Sequence, residues 1–252
     1  MTQGPAASVS AGPAAISRVF TPFYSEKASK KPESWRQTKK QQIELLKGVS
    51  KYYGIRNGYV VNTKKQAALP SDPAALAKLE GEVKVCVHVG VDVPFARTDF
   101  MDLMSVMEKP NTINQVFCAA MNLSQGFTGQ ANSQLKDSDE KSKFILRAAY
   151  RGTYLAALNC GSKKLFLTLI GGGAFGNPQI NILRTIVEVH KELALSKEIN
   201  GSLEEVHVSL FSKPACLPTI IEEVKEEKIP FKYIVYGRTK VVADQYLAPK
   251  KK

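Results

Sequence analysis

The most constraining stretch of this chain is Leu165-Phe166-Leu167-Thr168-Leu169-Ile170, followed at once by Gly171-Gly172-Gly173-Ala174-Phe175-Gly176-Asn177 and then Pro178. An almost continuous apolar run of this length reads as a strand buried on both faces, as in a parallel sheet. Pro178 fits the first position of a helix and Asn177 its N-cap. Behind them Ile182, Leu183, Ile186, Val187, His190 and Leu193 recur at helical spacing. In open α/β sheets, ligands bind beyond the carboxyl ends of strands. Consecutive glycines let backbone amides approach phosphate oxygens, because no Cβ intervenes and positive φ carries little penalty. The helix start adds unpaired N–H groups and the positive end of its dipole, which favour an anion. A glycine-rich structural turn is the other use of such a run. Four glycines within positions 171–176, at the end of a central strand, weigh toward phosphate.

The flanking pattern sets the fold class. Ile145, Ala148, Ala149, Leu155 and Leu158 mark one helical face closed by Gly161. Val206 to Phe211 reads as a strand, Leu217 to Glu227 as a helix and Tyr233 to Tyr236 as another strand. Helix and strand alternating in this way imply crossover connections and a largely parallel sheet. Upstream the signals are mixed. Ala6 to Phe20 reads as a loop leading into a short helix, and Lys27 to Glu33 as a polar, basic linker or loop. Ile43, Leu46, Val49 and Tyr53 predict a helix from Ser34 closed by Gly54, and Asp72-Pro73 opens another through Leu79. Gly58 to Val61 is a short strand, and Val83 to Val89 alternates as a strand with one polar face. Pro94 to Asn111 is irregular, with Phe100, Leu103, Met104 and Met107 on a short helix. Thr112 to Met121 is β-rich at its centre, and Gly126 to Asp139 is a polar loop ending in an aspartate N-cap. No repeat and no convincing domain boundary divides the chain, so 1–252 reads as a single domain with a Lys-rich tail at Lys250–Lys252.

Composition narrows the function classes. No apolar run approaches the ~20 residues needed to cross a bilayer, and Met1 to Gly12 lacks the basic and apolar regions of a secretory signal. An intracellular, cytoplasmic or nuclear location is expected. Cys86, Cys118, Cys160 and Cys216 lie far apart with no C-x-x-C pair, and three of them sit in apolar runs as small buried hydrophobes. His88, His190 and His207 form no ligand cluster, so neither a metal nor a cofactor is expected. A net charge of +12, from 35 basic and 23 acidic residues, suits acidic partners: nucleotide, nucleic acid or an anionic surface. The basic clusters at Lys27–Lys40 and Lys250–Lys252, each taken alone, are solvated surface. No basic stretch is interleaved with aromatics as a stacking platform.

Gly171, Gly173 and Gly176 also satisfy G-x-G-x-x-G, the dinucleotide fingerprint. That pattern belongs in a first βαβ unit, with an acidic residue about 20 positions on to hold a ribose. The strand Val206 to Phe211 instead ends in Ser212-Lys213.

The stretch Ile145 to Pro178 resembles the C-terminal half of a macrodomain. The matching residues are Leu146, Ala149, Tyr150 and Leu155 on the helix, Leu165 to Ile170 on the strand, and Gly171 to Pro178 beyond it. Thr2-Gln3-Gly4-Pro5-Ala6 and Asn114-Gln115-Val116-Phe117-Cys118-Ala119-Ala120 resemble segments of an uncharacterised macrodomain-like group. The resemblance implies a three-layer α/β/α fold around a mixed, largely parallel sheet. It also implies binding of ADP-ribose or a related nucleotide diphosphate between two loops. Ligand contacts then fall on Gly171, Gly172, Gly173, Ala174, Phe175, Gly176 and Asn177, together with Gln3 and Gly4 of the first loop and Asn122. Phe175 either packs over the distal ribose or anchors the turn in the core. Thr2 to Ala6 either forms the first loop or is a disordered terminus.

Hydrolysis is left open. Poly(ADP-ribose) glycohydrolases carry a catalytic glutamate just after their first glycine-rich loop, and Met1 to Phe23 contains no acidic residue. Gln3, Asn114 and Asn122 are the polar groups on offer to orient a water, with Asp92, Asp99 and Glu108 as acids elsewhere. The reading from another class is a basic structural or RNA-associated protein that keeps the fold without the ligand site.

Overall fold

The chain is described by a computed structural model, over residues 19–38, 40–56, 59–97, 104–124, 135–194, 203–210, 212–227, 231–235 and 238–243. Its elements run β1 (Gly54–Arg56), β2 (Tyr59–Val61), α1 (Pro73–Glu80), β3 (Cys86–Arg97), β4 (Met104–Phe117), α2 (Ser138–Asn159), β5 (Lys164–Thr168), α3 (Gln179–Ala194), β6 (Glu205–Leu210), α4 (Leu217–Glu226), β7 (Phe231–Val235) and β8 (Arg238–Ala243). They divide into two units, Met1–Leu45 with Cys86–Phe117, and Leu46–Val85 with Cys118–Lys252.

In the first unit β3 and β4 form a long antiparallel ribbon, from Cys86 opposite Phe117 to Arg97 opposite Met104. Its register shifts between His88 and Val91, where Gly90 takes φ +69° and donates its N–H to Asn114 Oδ1 at 3.0 Å. Met104 and Met107, expected on a helix, lie on β4. Cross-strand pairing, Met104 with Arg97 and Val106 with Phe95, overrides the local helical spacing. Phe100 and Leu103 lie outside the described residues. The helix expected from Ser34 is also absent, and a 3-10 turn at Lys47–Val49 stands in its place. Polar side chains take the amides that a helix would use: Gln37 Oε1 accepts from Ile43, and Thr38 Oγ1 accepts from Lys40 and Gln41. Leu46, Val49 and Tyr53 are buried nonetheless.

The second unit carries the main core. β5, β6 and β7 are parallel, in that order, and β8 closes the sheet antiparallel to β7. The alternation along the chain therefore gives the parallel crossovers expected, with one antiparallel edge added. Leu146, Tyr150 and Tyr154 of α2, Ile182, Leu183 and Ile186 of α3, and Ile220 and Val224 of α4 share one cluster with Leu165, Leu167, Val208 and Leu210. Apolar burial of this extent is the main driving force for the unit. β5 differs from its sequence reading. Leu165 and Leu167 are buried, but Lys164, Phe166 and Thr168 are exposed, Phe166 at 55%. The helices sharing that core lie against the Leu165–Leu167 side, while Phe166 stacks on His207 across the strand pair, with ring centroids 5.1 Å apart.

Helix ends follow their caps. Asp72 caps α1, accepting from the Ala75 amide at 2.7 Å with proline behind it. Gly161 ends α2 with φ +63°. All four cysteines are free thiols, half-buried rather than enclosed. No helix among the described residues is long and apolar enough to cross a membrane.

Candidate functional site

Three carboxyl ends of extended segments meet in the second unit. β2 ends at Val61 and leads into Asn62. Beside it, Met121 forms a parallel bridge to Val60, and the Asn122 amide donates to the Val60 carbonyl at 2.8 Å. Beyond the end of β5, the loop Gly171–Asn177 is fastened to that middle segment. Leu123 N–H donates to the Phe175 carbonyl at 2.8 Å, and Asn177 Nδ2 to the Met121 carbonyl at 2.8 Å.

The glycines of the loop have separate physical reasons. Gly171 and Gly176 adopt φ +74° and +68°, the left-handed region that L side chains avoid. A Cβ at Gly171 would lie 2.6 Å from Asn177 Nδ2 and 3.0 Å from Ala120 Cβ; at Gly172 it would lie 3.0 Å from Ile182 Cδ1. Gly173 is different, since a Cβ there meets nothing within 4 Å among the described residues. Internal turns take the amides of Gly172, Gly176 and Asn177, which donate to the carbonyls of Leu169, Gly173 and Gly171. Among the described residues, the amides of Gly173, Ala174 and Phe175 have no bond within the protein. Gly173 and Ala174 are exposed. The loop thus presents a tip of uncommitted donors, immediately before α3.

Asn177 is not the N-cap of α3. The carbonyl of Pro178 accepts the first helical bonds, from Asn181 at 3.0 Å and Ile182 at 3.2 Å, so the proline itself caps the helix. The Asn177 side chain, 2% exposed, is held elsewhere: Nδ2 donates to the Met121 and Gly171 carbonyls, and Oδ1 accepts from the Ser142 hydroxyl. Phe175 is half-buried against the core and meets Tyr59 edge-to-face, with centroids 5.7 Å apart. Asn122 is fully buried, and its Oδ1 accepts from the amide and hydroxyl of Ser124 at 3.0 and 2.8 Å. Gln3 and Gly4 lie outside the described residues, as does Asp99. Asp92 and Glu108 sit exposed on the β3–β4 ribbon, Asp92 accepting from Thr112 Oγ1 at 3.1 Å. Asn114 lies on β4.

Sequence reasoning missed the polar side chains beneath the site. Lys141, on the first turn of α2, is fully buried, with Nζ 2.8 Å from Asp137 Oδ2 and 3.0 Å from Asn62 Oδ1. Asn62 Nδ2 completes the group, donating to Asp137 Oδ1 and Ser138 Oγ. Asp137 stands at the N-cap position, but its carboxylate serves this cluster rather than the helix amides. Burial raises its pKa, and the hydrogen bonds from Lys141 and Asn62 outweigh that, holding it below the ordinary carboxylate value. Tyr150 bridges the end of β5, donating to the Thr168 carbonyl at 2.7 Å and accepting from the Ile170 amide at 3.0 Å. Its place on the helix was legible from the resemblance, its hydrogen bonds were not.

No protein-family model matches the chain, and no curated protein matches it. Two solved structures are similar at 19% identity. One is poly(ADP-ribose) glycohydrolase from Deinococcus radiodurans, crystallised in complex with ADP-ribose, with a TM-score of 0.41 over 57% of this chain and 52% of that one. The other is a mutant of poly(ADP-ribose) glycohydrolase from Thermomonospora curvata, with a TM-score of 0.39 over 56% of this chain and 48% of that one. The chain thus spans about half the length of each, 52% and 48%. The chemistry of the site rests on its own residues.

Proposed function

We propose that residues 1–252 form one macrodomain-like, three-layer α/β domain that binds ADP-ribose or a related nucleotide diphosphate. The diphosphate lies over the exposed tip of the loop Gly171–Asn177. The observation that carries the reading is the loop tip: amides of Gly173, Ala174 and Phe175 uncommitted among the described residues, at the carboxyl end of a parallel strand and the start of α3. Backbone donors at a helix start favour phosphate oxygens over neutral ligands. Phe175 contributes through its amide, while its ring anchors the turn. Calorimetry tests the proposal: ADP-ribose binds more tightly than adenosine, which has no phosphate. Absence of heat with ADP-ribose, ADP, NAD and RNA ends would sink a nucleotide site altogether.

The net charge of +12 favours a second reading, an RNA-associated protein. Counterion release makes RNA affinity fall steeply with salt, whereas a ligand with two phosphates responds much less. Tight, salt-sensitive RNA binding that survives Gly173→Val, with no nucleotide binding, would replace the first reading by the second.

A further inference from the structure

We infer that helix α2 positions the ligand loop, gripping its entrance with Tyr150 and its exit with Ser142 through Asn177; this rests on Gly171–Asn177 being the ligand site. β5 ends at Thr168, two residues before the last residue ahead of the loop's first glycine. The Tyr150 hydroxyl fills that gap. It donates to the Thr168 carbonyl and accepts from the Ile170 amide, which also reaches the Thr168 carbonyl at 2.9 Å. A phenol can do both at one atom. Tyr150 has no exposed surface, and burial raises its pKa far above the ordinary phenol value, so the donor proton stays in place.

At the exit, Asn177 closes the loop upon itself. Its backbone amide donates to the Gly171 carbonyl at 3.1 Å, and its side chain donates to the same carbonyl at 3.0 Å. The Ser142 hydroxyl, two turns before Tyr150 on α2, fixes the orientation of that side-chain amide by donating to Oδ1. Neither Tyr150 nor Ser142 is exposed, so both act through the loop rather than on a ligand. Held at both ends, the loop keeps its tip amides preorganised, which lowers the ordering cost of binding.

The same helix supplies a matched control. Tyr154, one turn beyond Tyr150, is equally buried, and its hydroxyl meets His190 Nδ1 at 2.5 Å on α3. Tyr150→Phe and Tyr154→Phe each remove one buried hydroxyl and keep the ring. Hydrogen exchange of residues 168–177 is read in the ligand-free protein, and ADP-ribose affinity by calorimetry. Both variants lose thermal stability, but only Tyr150→Phe accelerates exchange in the loop and weakens ADP-ribose by ~10-fold, the scale of a lost hydrogen bond or two. Ser142→Ala, a smaller change, accelerates exchange at residues 171–177 and serves if Tyr150→Phe does not fold. Loop exchange and affinity unchanged from wild type in Tyr150→Phe, or in Ser142→Ala if that is the variant that folds, overturn the inference. So does an equal loss in Tyr154→Phe. Should the wild-type protein bind no ADP-ribose, the ligand reading fails separately, while the exchange comparison still decides whether α2 sets the loop.

Discussion

Gly171→Ala tests the geometry of the loop most directly. The residue sits at φ +74°, where an L side chain costs about 1–2 kcal/mol. The new methyl would also lie 2.6 Å from Asn177 Nδ2, well inside contact distance. Asn177 cannot swing aside freely, because its side chain is buried and bonded to Met121, Gly171 and Ser142. Relieving the clash breaks its bonds to the Met121 and Gly171 carbonyls, at about 1 kcal/mol each. Alanine returns roughly 0.4–1 kcal/mol by restricting the unfolded chain. The net expectation is a loss of about 3 kcal/mol. Urea unfolding reads it as a fall in midpoint with an unchanged m-value. Gly173→Ala is the companion. Nothing lies within 4 Å of its Cβ and its φ is not left-handed, so its stability should stay within about 0.5 kcal/mol of wild type. Gly171→Ala as stable as wild type, or the two variants equally unstable, would refute this account of the loop.

Gly173→Val should abolish ADP-ribose binding in calorimetry while leaving the urea midpoint close to wild type, because its side chain enters only the space a phosphate would take; retained affinity counts against the tip as the contact. Burial lowers the pKa of His190 to about 4, so the unfolded chain binds more protons between there and about 6.5. Stability should therefore be full above about 6.5 and fall by up to about 3 kcal/mol as pH drops to about 4. In His190→Leu that slope should vanish, and a slope that persists in urea titrations would show another group is responsible. Purified protein should release little or no ADP-ribose from poly(ADP-ribose), since Met1 to Phe23 offers no carboxylate. Efficient release, followed by chromatography of the products, would require an acid from elsewhere, with Asp92, Asp99 and Glu108 the first to replace.

What could be read in advance followed from local signals. Asp72-Pro73, Gly161 and the apolar stripe Ile182–Leu193 each act within a turn or two of chain, and each lies where expected. The parallel pairing of β5, β6 and β7 followed from the alternation of elements, though their order did not. The failures share a cause as well. Met104 and Met107 have helical spacing, but their conformation is set by partners across a ribbon. Ile43 to Tyr53 has the right apolar period, and Gln37 and Thr38 take amides that the period takes no account of. β8 is a short antiparallel edge strand, placed by its pairing with β7. Ser142 and Lys141 lie on a helix whose polar residues look solvated in sequence, yet both are buried by contacts from β2 and the loop.

The glycine loop was legible in position but not in meaning. Its number of glycines weighs toward phosphate only if they exist for ligand access, and the structure gives most of them other duties. Gly171 and Gly176 are required by left-handed φ, and Gly172 is favoured by the close approach of Ile182. The match to G-x-G-x-x-G follows from that closure, since its first and last positions are the two left-handed residues that bring Asn177 back onto Gly171. A structural turn accounts for all three of these. It would not need Gly173, which has no neighbour to avoid among the described residues and no left-handed backbone. The weight of the ligand reading therefore moves from the run of glycines to the single one that the fold does not explain, and to the unbonded amides beside it.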